Sequence, residues 1–293
     1  MKPITTQAAA CGFLLAFGLA ASAQDMRLNL VAAENFYGDI AGQIAGDRAR
    51  IVSIISNPDQ DPHLFETTPS VVRDLAAARI VIVNGANYDT WIEKLLKASP
   101  QPGRMVISVA DILGKRAGDN PHLWYAPDAA PAVATAIAKD LSTADPAHSA
   151  DYANRLKVFI GSLEPMRLKI AAIGAKYAGV PVAATEPVFG YMAGALKLQV
   201  GNAHFQLAIM NGTEPSANDV ATFERDLKYH KVRVLLYNKQ ASDKVVQRLV
   251  DLARAANIPV VGVTETAPPG VSYQDWMIAQ LNDLEKALAG PST

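Results

Sequence analysis

Ala78-Arg79-Ile80-Val81-Ile82-Val83-Asn84-Gly85 holds a continuous apolar run, Ile80 to Val83, that stops on a polar residue and a glycine. A run of this kind, with no alternation of apolar and polar positions, describes a strand buried on both faces, the condition of an interior strand in a parallel sheet. Such strands need crossover connections, which are usually helices. The flanking sequence supplies both: Leu28 to Ala33, Arg50 to Ile55 and Met105 to Ser108 read as strands, while Phe36 to Ile44, the stretch opened by Pro69-Ser70, and Trp91 to Leu96 read as helices. Strand and helix alternate. This implies an α/β domain with a mainly parallel sheet, which takes its ligands at the carboxyl ends of the strands.

Asp128 to Leu141 reads as a further helix, and after it the pattern changes. Tyr152, Leu156, Phe159, Leu163, Met166, Ile170 and Ile173 recur at three or four residues, which predicts one long amphipathic helix with Pro165 kinking or splitting it. At 1.5 Å rise per residue it would be roughly 45 Å long, enough to bridge two domains. Alternation then restarts, with strands at Pro181 to Ala184, Leu198 to Val200, Arg233 to Tyr237 and Pro259 to Val263, and helices at Phe189 to Leu196, Ser216 to Tyr229, Ser242 to Ala256 and Ser272 to Leu288. The expected fold is therefore two α/β lobes with mainly parallel sheets, 24–144 and 179–293, joined by one long helix over 145–178.

Residues 1–23 read as an export signal: Lys2 at the start, an apolar run from Ala8 to Ala20, and the small residues Ala21-Ser22-Ala23 before a cleavage point. The apolar run of about 13 residues is shorter than the roughly 20 that span a bilayer, so a cleaved signal and a periplasmic protein are expected. Cys11, the only cysteine, falls within that signal, which leaves the mature chain without a disulfide or a thiolate ligand. The 27 basic and 28 acidic residues nearly cancel and form no basic run with interleaved aromatics, which argues against nucleic acid as a partner.

Two loops share one order of residues. Asp61-Pro62-His63-Leu64-Phe65 follows the second predicted strand, and Asn120-Pro121-His122-Leu123-Trp124 precedes a predicted helix. Proline fixes its own φ and disfavours helix at the residue before it, so each histidine is carried on stiff backbone. Either one alone could be a loop residue satisfying its neighbours; the repetition points to a shared ligand site. In the second half, Glu186 and Glu265 each come directly after an apolar strand. Glu186 could equally be a carboxylate favoured by a helix N-terminus, and Glu265 an exposed loop acid. Taken together, His63, His122, Glu186 and Glu265 offer two imidazole nitrogens and two carboxylates, a complete set for a first-row divalent metal. His148, His204 and His230 read as structural or solvated.

These motifs resemble those of the metal-binding substrate-binding proteins of ABC importers, the receptors for zinc, manganese and iron. The resemblance rests on Asp61-Pro62-His63 with Thr68-Pro69, on Pro121-His122-Leu123-Trp124, on Phe189-Gly190-Tyr191 and on Gly270 with Tyr273, and it covers essentially the whole mature chain. It implies that the ligands fall on His63, His122, Glu186 and Glu265, that the metal lies in a cleft between the lobes with little hinge motion, and that the cargo passes to a membrane permease. Zinc receptors of the family usually carry a third histidine where this chain has Glu186 and an aspartate where it has Glu265. Asn120 and Ala126 stand where acids commonly flank the second motif, and no His-rich loop precedes it.

A zinc hydrolase using two histidines and a carboxylate is the competing class. No His-Glu-x-x-His or Gly-x-Ser-x-Gly occurs, and a fourth protein ligand would fill the position that a reactive water needs. The expectation is thus a monomeric receptor, not an enzyme, for one Mn²⁺ or Zn²⁺ ion, with Fe²⁺ as a further candidate. The Glu186 carboxylate leans the donor set toward manganese.

Overall fold

A computed structural model describes residues 27–59, 62, 65–241 and 243–290. The predicted signal at 1–23 and the first histidine, His63, lie outside the described residues.

The first half runs β1 (Leu28–Glu34), α1 (Asn35–Ala45), β2 (Ala49–Ile55), α2 (Pro69–Ala77), β3 (Ile80–Val83), α3 (Thr90–Ala98), β4 (Met105–Ser108) and α4 (Val109–Ile112). Its strands form one sheet in the order β2-β1-β3-β4, every pair parallel. All four residues of β3 are buried, as its unbroken apolar sequence requires. Gly38 of α1 lies directly over the Ser53 hydroxyl of β2, where a Cβ would collide with it, so the helix can seat this closely on the sheet.

The second half repeats the plan with β5 (Pro181–Ala184), α8 (Gly190–Ala195), β6 (Gln199–Val200), α9 (Ala203–Met210), α10 (Ala217–Lys228), β7 (Leu235–Asn238), α11 (Lys244–Ala255), β8 (Val260–Val263) and α12 (Tyr273–Ala289). Its sheet, β6-β5-β7-β8, is also wholly parallel. In both sheets the first strand of the half lies beside the third. Strand order reverses there, and the crevice beyond the carboxyl ends at such a point is where open α/β sheets take ligands. Helix α9 is an addition to the sequence expectation. It buries Phe205 and Ile209 against the outer face of the second sheet, and Asn202 enters it in left-handed conformation, with its amide donating to the Ala184 carbonyl.

Between the halves lie α5 (Ala129–Ala144), α6 (Ser149–Ser162) and α7 (Glu164–Tyr177). The long bridging helix predicted from periodicity is two segments interrupted at Leu163. Pro165 stands in the first turn of α7, where its missing N–H forfeits no intrahelical bond.

The core is not divided by halves. One cluster runs through both, joining Phe36, Tyr37, Trp124, Tyr125, Tyr152 and Phe159 to Phe189, Trp276, Met277 and Leu281. Smaller clusters cover the outer face of each sheet. Helix α12 ties the halves together: the Tyr273 N–H donates to Asp39 Oδ2 at 2.8 Å, the Gln274 amide meets Gln43 and Ser162, and the Trp276 ring stacks on Phe36 at 5.6 Å. A continuous core and a helical strap thus join the two halves.

Candidate metal centre

His122 follows β4 and α4 and lies at the end of Asn120-Pro121, with no solvent exposure. The Asn120 side chain sets its chemistry. Its Nδ2 donates to the Pro187 carbonyl at 2.7 Å, so Oδ1 must face the histidine, where it accepts the His122 backbone N–H at 3.1 Å and stands 2.6 Å from Nδ1. A ring nitrogen facing an amide oxygen carries the proton, and Nε2 is then left with a lone pair. This link needs Gly190, since a Cβ there would come within 2.8 Å of Asn120 Nδ2.

Nε2 points at Glu265 Oε2, 3.3 Å away, with both residues wholly buried. With the ring proton on Nδ1, a lone pair on Nε2 and a carboxylate oxygen repel at this distance, and either a second proton on the ring or a metal cation between the two atoms relieves it. Adjacent donors around a tetrahedral ion with bonds of about 2.0–2.1 Å sit about 3.3 Å apart.

Glu265 comes two residues after β8, and its loop is held from both halves. Oε2 accepts from the Tyr88 hydroxyl at 2.9 Å and Oε1 from Asn238 Nδ2 at 2.7 Å. Its backbone N–H donates to Gln240 Oε1 at 2.6 Å, while Gln240 Nε2 reaches Thr266 Oγ1. Asn35, the first residue of α1, accepts from the Ala267 N–H at 3.0 Å and donates to the Ala267 carbonyl at 2.7 Å. The carboxylate is therefore oriented by groups outside its own loop, as metal-binding carboxylates are. Burial and the charges of Glu265 and Glu34 push the Tyr88 phenol well above its ordinary pKa, so the hydroxyl stays protonated and donates.

Trp124 walls the site, its ring 5.3 Å from His122, 5.0 Å from Tyr88 and 4.8 Å from Phe36. The apolar wall lowers the local dielectric and strengthens each charge interaction beside it. Glu186 is buried and starts the turn Pro187–Phe189, whose Pro187 carbonyl is the group Asn120 holds. The Tyr191 hydroxyl donates back to the Asn120 carbonyl at 2.8 Å, so the His122 and Glu186 loops are bound to each other twice.

Of the four residues expected from sequence, the structure thus brings His122 and Glu265 into contact and links the Glu186 turn to the His122 loop; His63 is outside the described residues. Among the described residues no three His, Cys, Asp or Glu side chains form a metal-holding group by themselves. The other histidines stand apart: His204 and His230 are exposed, and His148 Nδ1 lies 2.7 Å from Asp145 Oδ2. Sequence reasoning missed Tyr88, Asn238, Gln240 and Asn35. Asn238 and Gln240 carried the signal that singled out the glutamates, being polar residues at the end of an apolar strand.

Residues 30–287 match the family described as zinc-uptake complex component A, periplasmic. The metal ABC transporter substrate-binding lipoprotein ScbA of Streptococcus cristatus is 26% identical over 287 residues, covering 90% of this chain and 89% of that protein. The manganese ABC transporter substrate-binding lipoprotein PsaA of Streptococcus mitis is 24% identical over 292 residues, covering 92% and 91%. In fold the chain is similar to the periplasmic zinc-binding protein TroA of Treponema pallidum, with a TM-score of 0.76 at 18% identity, over 89% of this chain and 99% of that one.

Proposed function

The chain belongs to the family of periplasmic zinc-uptake complex component A, and from that premise we propose that it captures one Mn²⁺ or Zn²⁺ ion between its lobes and delivers it to the membrane permease of an ABC importer. It is a substrate-binding protein of metal transport and not an enzyme. The ion is cargo. Its ligands in this reading are His63, His122, Glu186 and Glu265, two imidazoles from the first lobe and two carboxylates from the second.

The observation that carries the reading is the 3.3 Å approach of His122 Nε2 to Glu265 Oε2, each held by second partners that keep its metal-binding atom turned inward. Neutral imidazole with anionic oxygen suits manganese and zinc, and Glu186 in place of a third histidine makes the set harder, which favours manganese relative to a three-histidine site. Zinc still binds more tightly at most sites by the Irving–Williams order. The relatives' names fit both ions, since PsaA is named for manganese and TroA for zinc.

The mature chain in this reading begins near Gln24, acts in the periplasm as a monomer and binds no nucleic acid. Metal analysis of purified protein, beside assays with generic ester and peptide substrates, tests it. One metal per chain without turnover is the expected result; zinc-dependent turnover abolished by Glu186→Gln would overturn it.

A further inference from the structure

β1 and β5 occupy the same place in the two sheets, each the opening strand of its half and each beside the third strand where strand order reverses. Each also leads into a glutamate. Glu34 ends β1 and Glu186 stands two residues past β5. Both occupy the N-cap position of the next helical segment in extended conformation, at φ −116°, ψ 152° and φ −145°, ψ 161°, and in neither does the side chain cap that segment. The carboxylate proposed as a metal ligand in the second lobe therefore has a counterpart in the first.

Glu34 is wholly buried, and neither carboxylate oxygen has a hydrogen-bond partner on another side chain or backbone group among the described residues. Its own backbone N–H gives weak relief, while burial and the nearby Asp89 push its pKa well above the usual carboxylate range. The hydroxyls around it are committed elsewhere: Tyr37 donates to Asn84 Oδ1 and Tyr88 to Glu265 Oε2. Asp89 is itself buried and takes the N–H groups of Asn84 and Gly85. Among the described residues no lysine or arginine pairs with Glu34. A buried carboxyl in such a position keeps a proton or finds a cation. Asn35, its neighbour in the chain, is bonded to the Ala267 backbone two residues past Glu265, which sets Glu34 at the metal-centre end of the sheet.

We propose that Glu34 is a further cation-binding residue of the cleft, a third carboxylate whose charge is answered by the bound divalent ion. This rests on the receptor reading above. An additional oxygen donor favours ions that accept more than four ligands, so it strengthens Mn²⁺ more than tetrahedral Zn²⁺.

The test is competitive titration of Mn²⁺ and Zn²⁺ on chelator-stripped wild type, Glu34→Gln and Glu34→Met. Both variants should bind Mn²⁺ at least about tenfold more weakly, with a smaller loss for Zn²⁺, and should melt no lower than wild type without metal. Mn²⁺ affinity within twofold of wild type in a folded variant would overturn the assignment. Infrared difference spectra of wild type need no variant: adding Mn²⁺ should remove a protonated-carboxyl band, and an unchanged band would count against Glu34 equally. Wild type that binds no metal at all would instead defeat the receptor reading itself.

Discussion

The strand ends at β8 and β1 each present a wholly buried glutamate, and their surroundings treat the two in opposite ways. Glu265 accepts from Tyr88 and Asn238, its loop is pinned by Gln240 and Asn35, and it faces a histidine whose own orientation is fixed by Asn120. Among the described residues Glu34 has no such partners, and the nearby Asp89 adds repulsion. In the proposed site the first would be a ligand set in place before the ion arrives, and the second a carboxyl that holds a proton until a cation replaces it. Preorganisation and a carboxyl poised to lose its proton are two ways to favour the loaded state, and the proposal combines them.

Removing a ligand gives the largest effect. Spreading the roughly 10–16 kcal/mol of a four-ligand zinc site over its donors gives about 2.5–4 kcal/mol each, so His63→Ala and His122→Ala should each weaken binding by about two to three orders of magnitude. His148→Ala and His230→Ala should leave it unchanged. Isothermal titration decides, and equal effects in all four variants would remove the assigned site.

Next comes the acid-loaded side of the comparison. Burial raises the Asp89 pKa from 3.8 to about 6, against the opposing pull of the Asn84 and Gly85 N–H groups. Because the folded state holds this proton more tightly than the unfolded chain, the contribution is stabilising at low pH and is lost as pH climbs from about 4 to about 6. The size is up to about 3 kcal/mol, at 1.36 kcal/mol per pKa unit. Denaturant titrations of metal-free protein across that range should show wild type losing stability relative to Asp89→Asn. A difference that does not vary with pH would show that Asp89 ionises normally.

Loosening Glu265 should come third. Asn238→Ala removes the donor to Oε1 but no proposed ligand, and loss of such a partner costs about 10–100-fold in metal affinity. An unchanged affinity would mean that Glu265 needs no orienting. The smallest effect is on selectivity: Glu186→His softens the donor set and should widen the zinc-over-manganese affinity ratio, which competitive titration of both ions reads directly. A narrowed ratio would take metal preference away from Glu186.

The parallel strands were legible because β3 and its fellows are short, apolar and bounded by glycine or polar residues, and period separates them cleanly from helices. Pro165 announced the break between α6 and α7. Helix α9 was not legible, since its apolar positions follow no clean helical stripe and a two-residue strand precedes it. His122 and Glu265 stood out as polar groups after apolar segments. Their mutual approach depends on how the two lobes that carry positions 122 and 265 pack, which no local pattern encodes. Glu34 was hidden for a different reason: nothing in Ala32-Ala33-Glu34-Asn35 reveals that the residue is buried without a partner among the described residues. Asn120 read only as a departure from the family's usual acid, whereas in the folded chain it orients the histidine.

Anomalous scattering from a crystal of the manganese-loaded protein tests the central claim most directly. The account predicts one strong peak in the cleft, within about 2.0–2.3 Å of His63, His122, Glu186 and Glu265 donor atoms. A peak that lies away from the His122–Glu265 pair, or is bound by fewer than three of these four residues, would contradict it.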